Sequence, residues 1–162
     1  MGLMKGQVTA VWLLSAALCA LAHEPYPFDR YPAAKIFRGN PATPRLDTPR
    51  AREYRTRIRA GAKQGSNFAG HYTVVSWGCG TSCAIYVILD ARTGQVYWPP
   101  EISRGVELNV ASPEFRLDST LMIVASCPPP EIYGYSNCNR NYYKWDGSRL
   151  VLLQTEPVSG PE

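Results

Sequence analysis

Four cysteines in two close pairs, placed behind an apolar leader, constrain this chain more than any other feature. Cys79 and Cys83 sit in Trp77-Gly78-Cys79-Gly80-Thr81-Ser82-Cys83, and Cys127 and Cys138 bracket a loop that begins Pro128-Pro129-Pro130. The leader has the order of a secretory signal peptide: Lys5 as the basic start, residues 8–18 as the apolar run, and Ala20-Leu21-Ala22 as a small-x-small cleavage site. The expectation is cleavage after Ala22, a mature chain beginning at His23, and a periplasmic or secreted location. The apolar run falls short of the roughly 20 residues that span a bilayer, so no transmembrane segment is expected after cleavage. The large Leu18 argues against lipidation of Cys19.

Cleavage removes Cys19 and leaves an even set of cysteines in an oxidising compartment, which implies disulfides. Closeness in sequence favours Cys79–Cys83 with Cys127–Cys138, worth about 2 and about 3 kcal/mol by loop closure. A crossed pairing would close a longer loop and stabilise more, so energy alone leaves it open. The first pair also has the spacing of a structural zinc site, but the second does not, and export favours oxidation. No metal and no cofactor is expected. A redox dithiol would need Cys-x-x-Cys at a helix start, whereas glycines flank Cys79 and strand-like segments lie on both sides.

The mature length suits one domain with a core of its own. Charge is unevenly spread. Residues 30–63 hold ten basic side chains against Asp47 and Glu53, a net of +8, while residues 64–162 carry six basic and nine acidic ones, a net of −3. Such asymmetry suits an anionic partner, or an arm docked on its own acidic body. No nucleic-acid motif accompanies the charge, and nucleic acid is not an expected partner.

Along the mature chain, residues 23–47 read as a proline-rich basic arm, extended and irregular because proline lacks the amide donor. Its aromatics (Tyr26, Phe28, Tyr31, Phe37) can pin it to the domain. A helix follows, with Thr48 as its cap, Pro49 at the first position, Gly61 at the exit and a stripe of Ala51, Tyr54 and Ile58. The pattern then turns to strands over 71–77, 84–89, 95–98, 115–117, 121–126, 141–145 and 149–153, with a weaker run over 106–110. The 84–89 run is apolar on both faces and should be central. Asp90-Ala91-Arg92-Thr93-Gly94 and Asp146-Gly147-Ser148 are turns. The expected fold is mainly β (α+β): a twisted antiparallel sheet or small sandwich of six to seven strands with one N-terminal helix. The boundaries are 1–22 for the signal, 23–47 for the arm, 48–155 for one disulfide-bonded domain and 156–162 for a loose tail.

Asn67-Phe68-Ala69-Gly70-His71-Tyr72, followed by Trp77-Gly78-Cys79-Gly80-Thr81-Ser82-Cys83 and the Asp90…Thr93-Gly94 turn, resembles the signature of a family of small exported bacterial proteins. The resemblance implies export. It brings no activity and no catalytic residues.

Candidate chemistry is sparse. His71 is the histidine well inside the mature domain, and as a general base it would need a nucleophile and an orienting carboxylate. Ser76 or Ser82 with Asp90 lacks a supporting Gly-x-Ser-x-Gly motif. Tyr133, Tyr135, Tyr142, Tyr143 and Trp145 cluster around the second cysteine loop, where exposed rings would suit a protein or glycan and buried ones would fill a core. The leading expectation is a non-enzymatic exported binding protein, inhibitor- or immunity-like by analogy, whose partner is a protein or an envelope glycan met at the rigid 127–138 loop. A small envelope hydrolase using His71 is the alternative. A third reading has Arg50, Arg52, Arg55, Arg57 and Arg59 attach the protein to an anionic lipid or polymer.

Overall fold

The computed structural model describes residues 26–81, 83–107, 112–126 and 138–158. The signal region with its expected cut after Ala22, the 127–137 loop with Cys127, Tyr133 and Tyr135, and residues 159–162 lie outside the described residues. Strand β2 (Cys83–Asp90) organises the chain. Its run Ala84-Ile85-Tyr86-Val87-Ile88-Leu89 is buried along its whole length, so both faces need cover. β1 (Tyr72–Gly80) pairs with it on one side, while β3 (Val96–Tyr97) and β4 (Val106–Glu107) pair with opposite ends of its other side. The second sheet places β5 (Glu114–Phe115), β6 (Leu121–Ser126), β7 (Cys138–Trp145) and β8 (Leu150–Val158) side by side in chain order. All pairings are antiparallel.

The protein is therefore mainly β, as expected, with two antiparallel sheets. Eight strands occur among the described residues, three of them only two residues long. The sheets share a core as a small sandwich: Tyr72, Val74, Ala84, Tyr86 and Ile88 from the first meet Met122, Val124, Trp145 and Leu150 from the second. The other face of the first sheet (Val75, Trp77, Ile85, Val87, Leu89) is covered by Ala51, Ile58 and Ala62 of the helical segment. The outer face of the second sheet (Leu121, Ile123, Tyr142) is covered by Tyr26, Phe28 and Tyr31 of the arm.

The helical segment starts where the cap requires. Thr48 Oγ1 accepts the Ala51 N–H at 3.1 Å, and Pro49 occupies the first turn. Tyr54 (φ −94°, ψ 17°) divides it into α1 (Pro49–Glu53) and α2 (Arg55–Ala62). The expected exit at Gly61 is corrected: α2 continues to Ala62, and Gly61 lies against Val75, where any Cβ would collide with both Val75 methyl groups. A short helix α3 (Pro100–Ser103) follows Pro99, just beyond the strand expected over 95–98. Pro100 sits in the first turn of α3, the position that proline tolerates best.

One boundary also shifts. The tail is not loose from residue 156, because Glu156, Pro157 and Val158 pair with Arg140, Asn139 and Cys138. The arm is pinned to the body by its backbone as well as by its aromatics. Its backbone is bonded to the body at Ala33 N to Asp118 O, Phe37 N to Gly70 O, Ala42 N to Ala91 O and Arg45 N to Gly94 O, while Thr120 N donates to Tyr31 O.

Candidate functional site

The Cys79–Cys83 disulfide closes the β1–β2 hairpin, with Cα atoms 5.2 Å apart. The register shifts between Gly78 and Gly80, which leaves Cys79 outside the ladder beside Cys83. Behind the bridge stands Gly105, where a Cβ would come within 3.0 Å of Cys83 Sγ. This arrangement is a staple at a hairpin tip. Cys138 begins β7, is buried, and takes part in a disulfide; its expected partner Cys127 lies outside the described residues.

The Asn67–Tyr72 stretch of the signature builds a receptor for the arm. Asn67 pairs with Val74 as a strand would, its Nδ2 donating to Val74 O at 3.1 Å and its Oδ1 accepting Val74 N–H at 2.7 Å. Phe68 is fully buried in the core between the sheets. Ala69 (φ 44°) and Gly70 (φ 82°) then turn the chain through the left-handed region. A Cβ at Gly70 would lie 2.7 Å from Lys35 O. Gly94 (φ 76°) serves the same purpose at the second crossing, where a Cβ would collide with Thr43 O. Both glycines let the arm backbone approach closely.

His71 lies beside this crossing. Arg92 Nη2 is 2.8 Å from His71 Nε2, and Asp90 Oδ1 accepts the Arg92 N–H at 2.8 Å. Burial, then the Arg92 charge, lower the His71 pKa, with Asp90 acting in the opposite sense. The imidazole nitrogen that a general base would use is thus occupied by a cation. No carboxylate or hydroxyl hydrogen-bonds to His71 among the described residues.

The expected aromatic face divides between layers. Tyr142 is buried under the arm, its ring tilted against Tyr26 with centroids 4.9 Å apart, and its hydroxyl donates to Glu156 Oε2 at 2.9 Å. Trp145 is buried between the sheets against Phe68, Tyr72 and Tyr97. Tyr143 is half-buried against the same core. The reading of Tyr142 and Trp145 as exposed binding residues is therefore corrected: both faces of β7 are covered, so these rings fill cores. Tyr133 and Tyr135 lie outside the described residues.

The basic segment keeps its charge. Arg50 donates to Ser103 O at 2.6 Å and lies 4.2 Å over the Trp98 ring. Arg52 donates to Leu46 O and Asp47 O, and Arg55 to Arg52 O. These bonds fix side chains without neutralising them. Lys35, Arg38, Arg57, Arg59 and Lys63 are exposed and make no ion pair or side-chain hydrogen bond among the described residues. Among the described residues, Asp29 and Arg116 join arm to body by an ion pair at 3.2 Å whose polarity is opposite to that of a basic arm held on an acidic body.

These cations border two open clefts. One, of about 570 Å³, is lined by Lys35, Ile36, Phe37, Arg38 and Arg92. The other, of about 450 Å³, lies between arm residues 41–44 and the Arg59, Ala62 and Lys63 end of α2. Among the described residues, neither lining contains a carboxylate. Sequence counting found the charge but placed the candidate anionic-surface site on Arg50–Arg59, whereas the arm and Arg92 supply three of the five cations here. No cluster of three or more metal-ligating side chains occurs among the described residues, and no helix there is long and apolar enough to cross a membrane. No family model, no curated protein and no solved structure matches the chain.

Proposed function

We propose that this is an exported, non-enzymatic binding protein that holds an anionic partner on the face formed by its arm and α2. The observation that carries this reading is a set of cations, Lys35, Arg38, Arg59 and Lys63, that are unpaired among the described residues and border two clefts whose described lining holds no carboxylate, with Arg92 held in place beside them. Unpaired surface charge of one sign attracts counter-charged ligands over a distance set by ionic strength. The occupied Nε2 of His71 favours binding over hydrolysis. The 127–138 loop, expected as a contact, does not enter this reading.

Equilibrium binding of fluorescent anionic oligosaccharides to the oxidised mature protein tests it. Lys35→Gln with Arg38→Gln should weaken binding at least tenfold. Arg104→Gln with Arg149→Gln removes the same charge elsewhere and should have little effect. Equal losses in both variants would mean that net charge alone acts, and the assigned face would be wrong.

A further inference from the structure

The two basic clefts share one wall. Residues 35–38 of the arm line the first and residues 41–44 line the second, so the step from Arg38 to Pro41 separates them by at most about 11 Å of chain. The intervening Gly39-Asn40 carries no charge. The wall is also fixed at Phe37, Ala42 and Arg45, whose N–H groups are bonded to Gly70, Ala91 and Gly94. Arg59 and Lys63 are one helical turn apart and face the arm from α2. Across from the first cleft, Arg92 is immobilised by His71 and Asp90. Each cleft thus presents two or more cations on elements that need no reordering when a ligand arrives.

Resting on the binding function proposed above, we propose that the two clefts form one track for a single linear polyanion lying across the arm. A lone anion can occupy one cleft only. A chain whose anionic groups repeat within about 11 Å engages both, and the second engagement is intramolecular, which multiplies affinity without a new kind of contact. The lining supports a polymer in a second way. Ile36 and Phe37 in one cleft, and Pro41, Ala42, Pro44 and Ala62 in the other, line the same clefts as the cations. They offer apolar surface to the sugar or alkyl backbone that links successive charges. A flat lipid surface would instead need the cations on one convex face, whereas these line two grooves.

Oligogalacturonates of graded length provide the probe, titrated into the oxidised mature protein by fluorescence anisotropy. Affinity should rise at least tenfold between chains too short to bridge the clefts and chains long enough, then level off. Lys35→Gln/Arg38→Gln and Arg59→Gln/Lys63→Gln should each reduce long-chain affinity to that of the short chain on the unmodified protein. Each should also flatten the dependence on salt, because fewer counterions are released. These side chains are exposed and unpaired, so a thermal melt should show both variants folded. Length-independent binding, or sensitivity to only one pair, overturns the track while leaving the binding function in place. Binding to phosphatidylglycerol vesicles that long oligogalacturonates fail to compete away also overturns it, in favour of a membrane. Absence of binding to any of these anions at low salt removes the proposed function as well.

Discussion

Arg92 Nη2 lies 2.8 Å from His71 Nε2. A guanidinium has no acceptor, so the imidazole accepts this bond and carries its proton on Nδ1. Protonating Nε2 would break the bond and set two cations against each other. The folded-state pKa is accordingly below the ordinary histidine value, through burial first and Arg92 second, against the opposing pull of Asp90.

The sign of the pH dependence follows. The unfolded chain takes up this proton near pH 6.5, and the folded protein only at lower pH. Stability from neutral His71 is complete above the unfolded pKa and is lost as pH falls through the folded one. In urea titrations, His71→Gln should be more destabilising at about pH 7.5 than at about pH 5. A pH-independent difference would contradict the assigned tautomer.

Gly61 is a packing glycine inside a helix. Gly61→Ala gains up to about 1 kcal/mol of helix propensity but forces a methyl into Val75, which costs about 1–3 kcal/mol. Net destabilisation is expected in chemical denaturation. In a Val75→Ala background the same substitution should be neutral or stabilising, and failure of that rescue would locate the cost elsewhere.

Ser119 anchors the arm. Its hydroxyl, 1 % exposed, is shared between Phe28 O at 2.8 Å and Tyr31 O at 2.9 Å, and its oxygen accepts the Leu121 N–H. Ser119→Ala leaves these groups short of partners, at about 1–3 kcal/mol. Tryptic cleavage after Lys35 and Arg38 should accelerate before the sheets unfold. Unchanged cleavage would show that aromatic packing alone holds the arm.

The hairpin staple acts locally. Replacing Cys79 and Cys83 together by serine should lower stability by about 2 kcal/mol through loss of the short loop closure. Arm proteolysis should be unaltered. A loss of twice that size would mean that the bridge supports more than the β1–β2 tip.

What the sequence displayed plainly was local. The two-sided apolar run of β2, the Thr48 cap, the Cys79–Cys83 pair and the Asp146 turn each declare themselves within a few residues. Asp146 accepts the N–H groups of Ser148 and Arg149, and these bonds hold its carboxyl down to about 2. What it concealed was cover. Tyr142 and Trp145 point to opposite faces of β7, and whether each face is wet depends on the distant arm and on the other sheet. Gly70 and Gly94 look like ordinary turn glycines until the arm is seen crossing them. The site followed the same rule: ten basic residues are countable between 30 and 63, but only the fold separates those left unpaired from those bonded to backbone carbonyls.

Covering the second sheet with Tyr26, Phe28 and Tyr31 sets an order in time. These residues are the first of the described chain to be made, yet their seats at Leu121, Ile123 and Tyr142 arrive almost last. Contacts of such long sequence separation form slowly, because the intervening chain must first be closed into a loop. The Tyr26–Tyr31 end of the arm therefore waits for the final hairpin before it can settle. Its cationic wall, bonded to Gly70, Ala91 and Gly94, does not, so a chain truncated before β7 would keep the partners of the grooves while Tyr26 lost its seat on Tyr142.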